Sequence, residues 1–124
     1  MGFLLVFLGA GLGGALRHAT NLLFARTFTL DYPYATLFIN VSGSVLMGVI
    51  AGYFALRGEA PQAACLLLTT GVLGGFTTFS AFSLDAALLY ERGQLAAASA
   101  YVLGSVFLSV LGLFAGLFLI RQLP

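Results

Sequence analysis

Apolar residues run almost unbroken through four stretches of the chain, about Phe3 to Phe24, Tyr34 to Leu56, Gln62 to Tyr90 and Leu95 to Ile120. Each meets the roughly 20 residues that a helix rising about 1.5 Å per residue needs to cross a bilayer. Polar and turn-forming residues gather between them: Asp31 and Pro33, then Arg57, Gly58, Glu59 and Pro61, then Glu91, Arg92 and Gly93. The pattern predicts an all-α integral membrane protein, a single four-span domain over residues 1–124 with no separate soluble part. The first apolar run lacks the basic flank of a secretory signal and continues to Arg17, so it reads as a retained span.

Only the third stretch carries a polar block at its centre, the run GGFTTFSAF from Gly74 to Phe82. Two glycines followed by hydroxyl and aromatic residues predict a helix broken near residues 74–79. Unpaired backbone at bilayer depth is tolerated only where protein or a water-filled cavity covers it. Half-helix ends attract anions through N–H groups and cations through carbonyls. The carbonyls of Gly74 and Thr77 are therefore candidates for a small cation, shared by two chains if a dimer brings two breaks together.

Composition sharpens this picture. Hydrophobic residues make up 60% of the chain and charged residues 7%, outside the range of ordinary soluble domains. There is no lysine, and the five arginines stand singly, so no basic patch points to nucleic acid or anionic lipid. Cys65 is the single cysteine, which excludes an intrachain disulfide and a cysteine metal cluster. Cytoplasmic loops normally carry the arginine excess. Here Arg57 and Arg121 lie on one side and Arg26 and Arg92 on the other, with Arg17 leaning towards the second. So even a count suits insertion both ways up and an antiparallel homodimer, unless the insertion machinery fixes one orientation. Four short helices also enclose a wet pathway poorly alone. Small-xxx-small pairs at Gly9 and Gly13, Gly48 and Gly52, and Gly112 and Gly116 suit close helix packing.

Polar residues recur on helix faces. Thr36, Asn40 and Ser44 are four apart and share one face, and a mid-span amide is a functional candidate, with interhelical glue as the plainer alternative. Tyr101, Ser105 and Ser109 form a second line; serines that bond back to their own helix would signify nothing. Phe79 and Phe82, flanked by Ser80 and Ser83, face one way if helix resumes there. Their positive ring edges can hold a small anion without a fixed charge, or the rings are simply core. Arg17 and Asp85 are the charges most clearly inside spans; Arg17 can snorkel, pair with Asp85 or line a wet vestibule, and His18 sits beside it.

Three motifs in order make the chain resemble the Fluc (CrcB) family of bacterial fluoride channels along nearly its whole length. They are GAGLGGALRH (Gly9 to His18), TLFINVSGSVLMG (Thr36 to Gly48) and GVLGGFTTFSAF (Gly71 to Phe82). The resemblance implies a dual-topology homodimer with two pores, in which fluoride passes between phenylalanine edges and polar side chains. It implies Phe79, Phe82, Asn40 and Ser80 at the anion path, and Tyr101, Ser105 and Ser109 as a polar track. It also implies a structural sodium ion on the carbonyls of Gly74 and Thr77. His18 stands where the family usually has Tyr, and Ala81 where it commonly has Thr, which removes a hydroxyl at that position.

The expected function is passive fluoride export across a bacterial inner membrane, with fluoride, lipid and a second copy of the chain as partners, no nucleic acid and no enzymatic activity. A small proton-coupled multidrug exporter is the main alternative. It needs an embedded carboxylate, and the first span has none. A non-transporting scaffold would not need the polar break, the mid-span amide and the hydroxyl line together.

Overall fold

The computed structural model describes residues 1–29, 31–58 and 60–123, and every element in it is helical. Helix α1 spans Gly2–Thr27 and α2 Tyr34–Arg57. The third span, Gln62–Glu91, is composite: α3 (Gln62–Cys65), a π-helical segment (Leu66–Leu73), α4 (Gly74–Phe76) and α5 (Phe79–Glu91). Helix α6 spans Leu95–Arg121. Four helical stretches are long and apolar enough to cross a membrane, which makes this a multi-pass membrane protein.

The connections are short and chemically specified. Helix α2 ends on Gly58 in the left-handed region, φ 69°. Helix α5 closes with Gly93 at φ 74°, where Gly93 N–H donates to Tyr90 O at 2.9 Å and Gln94 N–H to Leu89 O at 3.0 Å. This is a Schellman ending, and glycine fills its left-handed position without a Cβ penalty. Between α1 and α2, Tyr34 N–H donates to Tyr32 O at 2.9 Å around Pro33, whose φ of −80° and ψ of 60° make an inverse γ-turn.

The helices pack as two close pairs. Helix α1 lies along the π-helical segment and α4, while α2 lies along α6, with α5 leaning on α6. Missing side chains let the backbones touch. A Cβ on Gly9 would sit 2.7 Å from Leu67 O, and one on Gly13 would run into Val72 O. In the second pair a Cβ on Gly48 would meet Leu113 O, and one on Gly116 would meet Val45 O. The small-xxx-small pairs thus act within one chain, joining α1 to the third span and α2 to α6.

Little of the apolar surface is used up inside the chain. Only 11–22% of the most apolar window of each span is buried, and rings such as Phe7, Phe107, Phe114 and Phe118 point outward. In water such a surface would aggregate; in hydrocarbon it is the expected coat. The buried cluster is small, Phe82, Leu89, Ala98 and Tyr101, and it ties α5 to α6.

Helical geometry lapses at Thr77 (φ −77°, ψ 158°) and Thr78 (φ −155°, ψ 117°), both extended. The expected cause was the glycine pair, but Gly74 is helical at φ −63°, ψ −36°. Gly75 serves close packing, since a Cβ there would strike the Ala10 carbonyl. Extended geometry suits the β-branched threonines that carry it. The π-helical segment just before them had no signature in the apolar pattern of Leu66 to Leu73.

Candidate functional site

The two extended threonines need partners for backbone groups that a helix would have paired. Asn40, two turns into α2, supplies both for Thr78. Its Oδ1 accepts from Thr78 N–H at 2.8 Å and its Nδ2 donates to Thr78 O at 2.9 Å. The amide is used as a clamp on one residue, and one of its two N–H bonds is left over. Thr78 then caps α5, its Oγ1 accepting from Ala81 N–H at 3.1 Å and lying 3.2 Å from Ser80 Oγ. Threonine is a favoured N-cap for this reason. Thr77 turns the other way, its hydroxyl donating to Leu73 O at 2.8 Å.

These bonds have a consequence for the carbonyls. In a continuous helix Thr78 N–H would pair with Gly74 O and Ala81 N–H with Thr77 O. Both donors go elsewhere, to the Asn40 and Thr78 side chains. Gly74 and Thr77 each lose the helical partner of their carbonyl oxygen.

Beside the clamp runs an open groove of about 390 Å³ between α2, α5 and α6. Asn40, Thr77, Phe79, Phe82, Ser105 and Ser109 line it, with Thr78 at the clamp and Met47 and Leu113 closing the apolar end. The two rings are 5.4 Å apart with planes at 49°. They differ in setting, for Phe79 is 78% exposed at the groove's open side while Phe82 is 8% exposed against the core. Ser105 Oγ is buried and meets no hydrogen-bond partner among the described residues. Other hydroxyls on these helices do bond back to their own turn, Ser42 to Phe38 O and Ser83 to Phe79 O. The Ser105 hydroxyl remains uncommitted at the groove.

The other sequence candidates lie around the groove rather than in it. Tyr101 is fully buried beneath Phe82, ring centroids 5.3 Å apart, and its hydroxyl donates to Asp85 Oδ2 at 3.1 Å. Ser80 is exposed beside Thr78, and Gly74 is exposed on α4. Arg17 is half-buried on α1, outside the groove, and no ion pair joins it to Asp85 among the described residues. Asp85 opens onto a second recess of about 330 Å³ at the bundle end, shared with Asp31, Tyr32, Thr36 and Arg92. There burial, and secondly the neighbouring Tyr34, push the Tyr32 phenol above its ordinary range, so it stays a neutral hydroxyl near neutral pH. Sequence reasoning missed Thr78 as cap and clamp partner. The signal was present as a threonine directly before Phe79, where helix resumes.

Residues 4–117 match the family described as CrcB-like protein, Camphor Resistance (CrcB). The chain belongs to the CrcB family. The match takes in all four spans, and with them the clamp, the groove and the glycine contacts. Among similar CrcB proteins, "Fluoride-specific ion channel FluC 2" of Nitrobacter hamburgensis is 61% identical over 123 residues, 99% of each chain. "Fluoride-specific ion channel FluC" of Rhodopseudomonas palustris strain BisB5 is 61% identical over the same share of both chains. The protein of that name from Methylobacterium nodulans is 59% identical over 119 residues, 96% of this chain and 95% of its own. CrcB proteins of this kind are named as ion channels, not enzymes.

Proposed function

We propose that the protein is a fluoride-specific channel that passively exports fluoride across a bacterial inner membrane, working as an antiparallel dual-topology homodimer. One observation carries the reading: the Asn40 amide, the free Ser105 hydroxyl, Ser109 and the Phe79 and Phe82 rings converge on one groove. An ion leaving water needs its hydration shell replaced, by groups that hold it without trapping it. The spare Asn40 N–H, the serine hydroxyls and the positive ring edges are neutral donors of that kind. The names of the relatives point to the same ion.

Fluoride enters an acid-exposed cell as neutral hydrogen fluoride, ionises in the cytoplasm and is trapped as the anion. A negative interior potential drives it out through a passive path, worth about 2.3 kcal/mol per 100 mV for each charge. No coupling ion is required. The groove is open on the side where Phe79 stands exposed, and a second copy would cover it. The nearly even arginine count on the two faces suits the antiparallel arrangement.

A sodium ion belongs to the same proposal, as a structural cofactor held by the carbonyls of Gly74 and Thr77 from both copies. Support comes from the diverted donors, which leave those two oxygens without their helical partners. A hard cation of low charge suits neutral carbonyl oxygens.

Liposomes carrying the purified protein, loaded with potassium fluoride and given valinomycin in the presence of sodium, test the reading. Fluoride appears outside, and the same liposomes loaded with potassium chloride retain it. Release no faster than from protein-free liposomes would overturn the proposal.

A further inference from the structure

An unbroken series of aromatic contacts leads from the bundle end into the groove. Phe79 touches Phe82 at 5.4 Å, Phe82 touches Tyr101 at 5.3 Å, and Tyr101 touches Tyr32 at 5.8 Å. The last contact is edge-on, with planes at 86°, a favoured geometry for an aromatic pair. Tyr32 is on the connection between α1 and α2, far in sequence from Phe82 and Tyr101, yet it packs directly on the cluster that contains them.

Tyr101 is held on three sides. Phe82 covers one part of its ring, Tyr32 meets another, and Asp85 accepts from its hydroxyl. Phe82 and Asp85 are on α5. Tyr32 is on the α1–α2 connection and, together with Leu37 of α2, packs on the cluster from outside α5 and α6, and its own position is set by local chemistry. The Pro33 ring fixes φ, the Tyr34 N–H bond to Tyr32 O closes the γ-turn, and the Tyr34 ring packs back on Tyr32 at 4.7 Å with planes tilted by 47°. Tyr34 in turn lies 5.5 Å from Phe28 at the end of α1.

We propose that Tyr32 is a positioning residue for ion passage: the Tyr32–Pro33–Tyr34 turn is a rigid strut that presses Tyr101 against Phe82 and so fixes the ring edge Phe82 shows to the groove. The inference rests on the fluoride-channel reading and extends it to a residue that touches neither ion nor groove. The ring does the work, not the hydroxyl, because the contact to Tyr101 is between rings. One aromatic pair is equivalent to about two- to tenfold in an equilibrium constant, and the expected loss in rate per channel is bounded by that range.

The test uses the full-length protein in liposomes at a protein-to-lipid ratio low enough that most vesicles hold one channel or none. The fraction of fluoride that stays trapped counts active channels, and the speed of release reports each channel's rate. A purely structural role moves the first quantity only. Tyr32→Leu is expected to slow release by two- to tenfold at an unchanged trapped fraction, and Tyr32→Phe to match the wild type in both. Pro33→Gly, which keeps every ring and loosens the turn, is expected to slow release as well, and is the decisive variant if Tyr32→Leu fails to fold. Wild-type speed in Tyr32→Leu, or in Pro33→Gly where the first cannot be purified, would overturn the proposal, as would slow release in Tyr32→Phe. If the wild type itself releases no fluoride, the channel reading fails instead, so the two failures are distinct.

Discussion

Replacing Asn40 with leucine removes both halves of the clamp on Thr78 while nearly keeping side-chain volume. Two hydrogen bonds are lost, of 2.8 and 2.9 Å. Interhelical bonds in membranes average about 0.6 kcal/mol, which sets a floor of about 1 kcal/mol for the pair. Leaving a donor and an acceptor unpaired costs more, about 1–3 kcal/mol each when buried. Thr78 is 9% exposed, and on the channel reading the open groove beside it is a wet path, so the full penalty for both groups does not apply. The expected cost of opening this segment falls to about 1–3 kcal/mol below the wild-type value. Hydrogen exchange reads this directly, because the Thr78 amide exchanges through local opening. Its exchange should speed up by about fivefold to a hundredfold, while amides in α2 and α6 away from the clamp hold steady. Thr78 exchange unchanged in Asn40→Leu would refute the clamp. Asn40→Asp separates the two halves: it keeps an acceptor for Thr78 N–H and, ionised, loses the donor to Thr78 O, so its effect should be intermediate on the Thr78 amide.

Three further outcomes follow from the same geometry. Thr78→Ala removes the N-cap of α5 and should cost about 0.5–2 kcal/mol of stability in detergent, with Thr78→Ser restoring most of it; equal stability of the two variants would count against the cap. Gly75→Ala drives a methyl into the Ala10 carbonyl and should destabilise the α1 packing by about 1–3 kcal/mol, whereas Gly104→Ala, with nothing within 4 Å of the new Cβ, should be neutral in the same thermal melt. Replacing sodium by an organic cation during purification and assay should lower fluoride flux, and indifference to sodium would remove the carbonyl site from the account.

The parts of this protein that follow from local pattern were legible in its sequence. Four apolar runs of spanning length give four helices, and spacing of four put Asn40 and Ser105 on inward faces. What escaped depends on contacts between distant residues. Asn40 and Thr78 are 38 positions apart, so nothing local told whether the amide would face an ion or the backbone. It clamps the backbone and keeps one N–H spare. Equal spacing made Phe79 and Phe82 look alike, yet packing against α6 buries one and leaves the other open. Tyr101 shares a helical line with Ser105 and Ser109, but its longer side chain reaches past the groove to Asp85. The glycines read as looseness in the third span; they are helical, and at Gly75 the absent side chain admits α1, while the extended geometry falls to the threonines that follow.

The claim that the groove is the anion path meets its most direct test in the variant with both Phe79 and Phe82 changed to isoleucine. Isoleucine keeps the groove apolar and removes the ring edges, so dimer formation on size exclusion should match the wild type while fluoride efflux from liposomes is abolished. Undiminished efflux from that variant would contradict the account, because the ion would then be passing elsewhere.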